Sequence, residues 1–297
     1  MTPKVYLVTF QGMTYDEDSK VLNGSLKRRG IECEIVSWDD PEVDWSKPDL
    51  NIVKSTSNYI LDREPFLLWA QETEMKAPLW NGSEIIEWNS DKRYLLELEG
   101  KGIPTPPTIL VKKDEVKPLQ LCLKGVDWDD IVIKPTVAAG SFGLRRLRSD
   151  SREADEHLQQ LTHRGYNQLL DGAIWPLKPC DVLIQPFIPD IIEGETSLMF
   201  FGGRYSHSVI KKAKPGDFRS HPIWGASVKS YEPSKAELRV ATDALSLAGN
   251  VEYARIDMVN TVRGPLLMEM ELIEPFFFFD RFPEAAETYA DHIADSI

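Results

Sequence analysis

Tyr253-Ala-Arg-Ile-Asp-Met-Val259 and Leu266-Leu-Met-Glu-Met-Glu-Leu272, joined by Asn260-Thr-Val-Arg-Gly264, read as two strands of one hairpin. Side chains on a strand alternate between faces, so Arg255 and Asp257 share a face, as do Glu269 and Glu271 on the partner strand. A register symmetric about Arg263 sets Asp257 opposite Glu269 and Arg255 opposite Glu271, with Cβ atoms roughly 5 Å apart. Three carboxylates on one surface repel one another unless a hard divalent cation joins them, and Mg²⁺ takes oxygen ligands at about 2.0–2.1 Å. Arg255 beside them suits phosphoryl oxygens. A solvated amphipathic hairpin alternates in the same way, so the rest of the chain decides between the two readings.

Length and composition describe a globular, enzyme-sized chain of two or three domains: 297 residues, 42% hydrophobic and 27% charged, with no low-complexity run. A net charge of −13 argues against general affinity for nucleic acid or anionic membranes, which need a surplus of Lys and Arg. Cys33, Cys122 and Cys180 are few, odd in number and unpatterned, as expected of reduced core thiols rather than a disulfide framework or zinc site. No stretch reaches the ~18–20 apolar residues of a membrane helix, and residues 4–10 are too short for a signal peptide, so the expected location is the cytoplasm.

The fold class expected is α/β (α+β). Val5–Phe10, Ser19–Arg29, Glu32–Val36 and Leu50–Val53 read as strand, helix, strand and strand, a βαβ opening to an open parallel sheet over the first ~85 residues. Such sheets bind ligands beyond the carboxyl ends of their strands, here Gln11–Tyr15 and Lys54–Tyr59. A helix follows Asn89 to about Glu99, and Pro104-Thr-Pro-Pro107 forces an extended passage. Ile131–Lys134 and Gly143–Leu147 read as a hairpin, Ser151–Leu170 as a helix, and Val182–Gln185, Glu195–Phe201, Arg204–Lys212 and Ala226–Lys229 as strands. Ser234-Lys-Ala-Glu237 is a capping box that opens another helix, and a closing helix begins near Phe282.

Between the first pair of hairpin strands lies Pro135-Thr-Val-Ala-Ala-Gly-Ser-Phe-Gly143. Small residues let backbone N–H groups approach an anion, Ser141 adds a hydroxyl, and Lys134 leads into the loop. The pattern is not a Walker A loop. Lys92 follows Asn89-Ser-Asp91 near a helix start, where backbone donors favour a phosphate. Val182-Leu-Ile-Gln-Pro-Phe-Ile188 offers a backbone edge beside Phe187 and Ile188 that suits an adenine ring, and Glu195 follows within reach of ribose hydroxyls.

Taken in order, these elements resemble the ATP-grasp superfamily, whose members clamp ATP between two α+β subdomains. The resemblance rests on Asp91-Lys92, Val132-Ile-Lys-Pro135, Ala139-Gly-Ser-Phe-Gly143, Gln185-Pro-Phe-Ile188, Glu195, Gly216-Asp-Phe-Arg219, Arg255-Ile-Asp257 and Glu269-Met-Glu271. It implies an N-terminal pre-ATP-grasp domain over 1–92, a central subdomain with the phosphate loop over 93–185, and a C-terminal subdomain over 186–297. It also implies ATP and Mg²⁺, two ions, as cofactors. Lys92 and Lys134 would touch phosphates, Ser141 would close over them, Gln185, Phe187 and Ile188 would line adenine, and Glu195 would hold ribose. Asp257, Glu269 and Glu271 would bind Mg²⁺, with Arg255 and Arg219 on the γ-phosphate or acyl phosphate. Many members carry Glu-x-Asn where this chain has Glu269-Met-Glu271, which adds a negative charge at the metal.

Within the superfamily the chain is similar to the glutathione synthetase and ribosomal-protein glutamate ligase branch, and in particular to the group containing the O-ureido-serine cyclase of D-cycloserine biosynthesis. Trp38-Asp-Asp-Pro41, Val43-Asp-Trp45, Ser55-Thr56 with Tyr59, Phe66-Leu-Leu-Trp-Ala70, Trp88-Asn-Ser-Asp-Lys-Arg-Tyr94 and Met270-Glu-Leu-Ile-Glu-Pro275 carry that likeness. The group usually has Arg-Ser-Thr-Trp-Asp-Tyr where this chain has Lys54-Ser-Thr-Ser-Asn-Tyr59, so the cyclase's substrate does not carry over. The implied chemistry is phosphorylation of a small amino-acid-like carboxylate and capture of the acyl phosphate by a nitrogen nucleophile, as a ligase or a cyclase. Lys214–Gly225, which holds Arg219 and His221, is a lid candidate; His207 and His221 are acid–base candidates, and Lys211 and Lys212 could gather a carboxylate. The alternative is a catalytically silent ATP-binding regulator of the same fold. Expected partners are a small molecule and no nucleic acid or membrane, with homo-oligomerisation left open.

Overall fold

A parallel sheet opens the chain, in the order Glu32–Ser37, Lys4–Thr9, Leu50–Ser55, as the βαβ pattern predicts. Helix Glu17–Arg28 makes the crossover, with Glu17 and Asp18 in its first turn and Lys27 and Arg28 in its last, a charge order that complements the helix dipole. Gly30, just beyond it, has φ +71°, the left-handed conformation that closes such a helix. The computed structural model describes residues 2–13, 17–115, 117–170 and 173–297. Of the expected ligand-facing stretch Gln11–Tyr15, Thr14 and Tyr15 lie outside the described residues.

Two antiparallel sheets follow. The first orders Ile109–Val111, Val182–Pro186, Asp130–Pro135 and Arg145–Arg148. The second orders Ser227–Ser230, Arg204–Lys212, Glu195–Phe201, Tyr253–Thr261 and Gly264–Glu271. Helix Lys235–Ala248 starts at the expected capping box, in which the Ser234 hydroxyl accepts from the Glu237 N–H at 3.2 Å and the Glu237 carboxylate accepts from the Ser234 N–H at 2.8 Å. The last helix, Pro283–Ala294, returns to the first sheet. Its Tyr289 and Ile293 share a core with Val5, Leu7 and Leu22, and Arg29 reaches Glu287 and Asp291, each at 2.7 Å. Phe277 and Phe279 fill the same core, which accounts for the apolar run 276–279. Among the described residues no helix is long and apolar enough to cross a membrane.

One element differs from the sequence reading. The helix expected over Ser151–Leu170 stops at Gln159, passes through one wide turn, Gln160–Arg164, and is replaced by strand Tyr166–Leu170, paired with Ala173–Leu177. Gly165 causes the break: at φ +80° a β-carbon there would stand 2.8 Å from the Leu177 carbonyl oxygen. Leu158 and Leu161 are buried as the helical spacing predicts, but that spacing does not extend past the glycine.

The edge of the five-stranded sheet is finished by side chains instead of a sixth strand. Asn89 accepts from the Leu272 N–H at 2.9 Å and donates to the Met270 carbonyl at 2.8 Å. The Tyr94 hydroxyl accepts from the Met270 N–H at 2.9 Å and donates to its carbonyl at 3.0 Å, while Asn81 donates to the Leu272 carbonyl at 2.7 Å. The extended Pro104–Pro107 passage adds a further contact, from the Leu267 N–H to the Pro104 carbonyl at 2.8 Å. Unsatisfied buried backbone groups are costly, so these contacts fix where Glu269 and Glu271 sit. Tyr94→Phe and Asn89→Ala should each destabilise the protein by about 1–3 kcal/mol in urea unfolding; a change within about 0.5 kcal/mol for both, the range of ordinary surface substitutions, would contradict this role for the edge.

Candidate active site

The hairpin is centred one half-residue away from Arg263: Thr261 pairs with Gly264, leaving a two-residue turn. Continued unchanged from Met258 opposite Leu267, that register would set Asp257 against Met268. A bulge between Asp257 and Met258 absorbs one residue, so Asp257 faces Glu269 and Arg255 faces Glu271, the arrangement predicted. Met268, the residue the bulge releases, lines the same cleft as Glu269 although simple alternation would turn it away.

The face so formed carries a chain of ion pairs. Arg255 holds Asp257 at 2.9 Å and Glu271 at 2.5 Å, and Lys211 holds Asp257 at 3.2 Å and Glu195 at 2.8 Å. The Ser197 hydroxyl donates to Asp257 at 2.5 Å, and Lys92 pairs with Glu269. Burial opposes ionisation of Asp257, but Arg255 and Lys211 overcome it and hold that carboxyl well below its usual range. Burial first, and then repulsion from Glu269 and Asp257, push Glu271 up to about 7 despite Arg255. Glu195 is likewise raised, chiefly by burial.

The opposing wall comes from the four-stranded sheet. Lys134 is buried, and among the described residues no hydrogen bond or ion pair reaches its ammonium; burial lowers its pKa to about 8. The loop after it turns through Gly140 at φ +56° and Ser141 at φ +63°, so a serine occupies the left-handed region at a cost of order 1 kcal/mol. Gly143 closes the loop: its N–H donates to Gln168, its carbonyl contacts His157 Nε2 at 2.9 Å, and a β-carbon there would strike the Pro135 ring at 2.8 Å. Gln185, Phe187 and Ile188 line the cleft together with Glu195. The Gln185 amide donates to Thr108 at 2.8 Å, and the Arg146 guanidinium stacks 3.7 Å from the Phe187 ring centroid.

The lid candidate reaches across. Trp224 donates to the Gly140 carbonyl at 3.1 Å, and Arg219 lies 3.7 Å over the Trp224 ring with a forked contact to Asp217 at 2.7 and 3.0 Å. His221 borders the cleft; burial, with Arg255 and Lys211, lowers its pKa to about 4, so it stands neutral at physiological pH. His207 is elsewhere: it is buried, with Nε2 2.7 Å from the Phe277 carbonyl, and has a structural role. Lys212 faces outward toward Glu193.

Lys134, Ser141, Gln185, Phe187, Ile188, Glu195, Arg219, Arg255, Asp257, Glu269 and Glu271 thus line one cleft. Lys92 does not line that cleft; it lines a second cavity of about 260 Å³ that shares Gly140, His221, Arg255, Glu269 and Glu271 with it. This cavity sits at the end of strand Leu50–Ser55, as an open parallel sheet predicts, and includes Ser55, Ser57 and Tyr59. Sequence reading missed Met268, hidden by the bulge; Trp175, on the unforeseen hairpin; and Glu274, which was noted only as part of a family motif.

For a divalent cation the donor chemistry fits: carboxylate oxygens from two paired strands, with Glu271 raised by burial and then by like charge. As they stand, each acid is held by a cation, and among the described residues no three acidic side chains converge to enclose an ion. For a polyphosphate the fit is Lys134, without an ion pair among the described residues, beside the glycine loop.

The family model for the N-terminal domain of D-cycloserine synthetase DcsG matches residues 5–81. The cycloserine biosynthesis protein DcsG of Streptomyces lavendulae is 26% identical over 297 residues, covering 95% of this chain and 94% of the relative. The crystal structure of D-cycloserine synthetase DcsG covers 99% of both chains with a TM-score of 0.84 and 24% identity. A probable alpha-L-glutamate ligase of Aliivibrio fischeri (strain MJ11) is 28% identical over 192 residues, covering 64% of this chain and 58% of the relative. A D-alanine–D-alanine ligase from Bacillus anthracis, solved with ATP, has a TM-score of 0.71 over 99% of this chain and 96% of that one, at 15% identity. The fold is therefore ATP-grasp.

If a nucleotide binds with magnesium in this cleft, Lys134 and Glu271 predict a proton signature for it. A phosphate beside Lys134 raises its pKa, so Mg-ATP binding at about pH 8.5 should take up protons; at about pH 6.5 a metal on Glu271 should release them. Calorimetry in buffers of different ionisation enthalpy reads the sign, and an unchanged proton balance at both pH values would contradict the assignment.

Proposed function

We propose that this chain, an ATP-grasp enzyme that couples ATP to joining a carboxylate and an amine, phosphorylates an amino-acid-like carboxylate and delivers the acyl phosphate to a nitrogen nucleophile, forming an amide. The observation that carries the reading is Lys134: a buried ammonium that makes no ion pair among the described residues, across a cleft from carboxylates where burial, and then like charge, raises Glu271. A cleft with an ammonium to spare on one wall and, on the other, carboxylates that could exchange their lysine and arginine partners for a metal fits a magnesium-bound polyphosphate.

In this reading residues 93–185 and 186–297 form the two jaws and residues 1–92 help to receive the acid. Bound there, ATP with magnesium supplies the γ-phosphoryl group and neutralises its charge in the in-line displacement. Lys134 and Lys92 are assigned to the phosphates and Ser141 to a hydroxyl contact. Gln185, Phe187, Ile188 and Met268 are assigned to the base, and Glu195 to the ribose. Asp257, Glu269 and Glu271 are the proposed metal ligands, which requires Glu269 to exchange Lys92, and Asp257 and Glu271 to share Arg255, for the ion. Arg255 and Arg219 then hold oxygens of the group in transfer, and His221 presents a neutral donor at the junction of the two cavities. Positioning and charge stabilisation supply the rate, since no protein nucleophile is needed. The contact from Trp224 to Gly140 keeps lid and phosphate loop together, which protects an acyl phosphate from water.

The nitrogen belongs to a second molecule in a ligase and to the same molecule in a cyclase. Phosphate release screened across amino acids, ureido compounds and short peptides, with mass spectrometry of the product, distinguishes them. Lys134→Ala and Glu269→Ala should each lower stimulated phosphate release by at least about 100-fold with the fold intact, and EDTA should abolish it. Unchanged turnover in both purified variants would overturn the site.

A further inference from the structure

The second cavity contains an acid that the phosphoryl chemistry does not use. Glu274 sits in its wall, and its Oε2 accepts from both the N–H and the hydroxyl of Thr56. Among the described residues no lysine, arginine or histidine forms an ion pair with it. Lys54 lines the same cavity, but its ammonium donates to the Pro275 carbonyl at 3.1 Å, stands 3.6 Å from Asp18 and lies 4.1 Å over the Phe277 ring centroid. Lys92 is committed to Glu269, and Arg255 to Asp257 and Glu271. Burial, and then the charge of Glu271, push the Glu274 carboxyl up to about 8, and a cation beside it would relieve both.

The cavity is polarised. Arg255 and His221 stand at its junction with the nucleotide cleft, whereas Glu274 and Thr56 lie on the side toward the first sheet, with Tyr59, Ile273 and Trp175 forming apolar walls. We propose that Glu274 is the counter-ion for a primary ammonium on the substrate, so that the cavity selects a small zwitterion with its carboxylate at the junction and its ammonium at Thr56-bound Glu274. The carboxylate end of this orientation rests on the proposed function; the ammonium end rests on Glu274 alone. A charge-assisted hydrogen bond of this kind is worth about a 10- to 100-fold change in affinity.

The test uses ethylammonium chloride as the probe and the thermal midpoint of the full chain at fixed ionic strength as the readout, with Mg-ATP titrated in parallel. The wild type should show a saturable rise in midpoint with ethylammonium and none with tetramethylammonium, which carries the charge but no N–H. Glu274→Gln, which keeps an acceptor for Thr56, should weaken the ethylammonium response by about 10- to 100-fold and leave the Mg-ATP shift unchanged. If that variant does not fold, the comparison of the two cations in the wild type decides. No ethylammonium response in the wild type, an equal response to both cations, or a response that survives Glu274→Gln overturns the inference. A wild type that ignores Mg-ATP yet shows the Glu274-dependent response overturns the phosphoryl-transfer reading and leaves the ammonium site standing.

Discussion

Arg255 and Lys211 each bind two carboxylates on one face of the five-stranded sheet, and that shared neutralisation is what lets Glu195, Asp257 and Glu271 stay ionisable beneath the cleft. Taking isolated charges out of water costs several kcal/mol each, so such a face persists only while every acid has a partner. The protein supplies those partners from its own strands, and the same acids are the groups a divalent cation would take. Among the described residues Lys134 on the opposite wall has no such partner. The asymmetry between a self-neutralised floor and a roof with a cation to spare is what the proposed magnesium-bound polyphosphate would complete.

Three local devices keep that face in register. The bulge before Met258 turns both Met268 and Glu269 toward the cleft. Asn89 and Tyr94 satisfy the edge backbone at Met270 and Leu272, and because Lys92 lies between them in sequence, the same docking delivers its ammonium to Glu269. The Lys92 N–H also donates to the Thr136 carbonyl at 2.7 Å, so one short segment joins the five-stranded and four-stranded sheets. Opposite it, the left-handed pair Gly140 and Ser141 and the Trp224 contact tie the loop 135–143 to the segment 214–225.

Much of this was legible because strand alternation and helix capping are local. Period two put Arg255 and Asp257 on one face, and Ser234 with Glu237 marked a helix start that the structure reproduces. The pairing of Asp257 with Glu269 was also reached, but through a symmetric turn; the real turn is offset and the bulge compensates, which no periodicity reveals. Strand Tyr166–Leu170 falls inside the helix expected over Ser151–Leu170 because Leu158 and Leu161 keep helical spacing up to Gly165, and the glycine's significance lies in a carbonyl that is distant in sequence. Glu274 could not be singled out, since its lack of a counter-ion among the described residues depends on Lys54, Lys92 and Arg255 all being engaged elsewhere.

The most direct measurement is a crystal structure of the protein with a non-hydrolysable ATP analogue and magnesium. Oxygens of Asp257, Glu269 and Glu271 should lie at about 2.0–2.3 Å from metal, with Lys134 on a phosphate. Carboxylates still held by Arg255, Lys211 and Lys92, with no ion between them and the nucleotide, would contradict the proposed site.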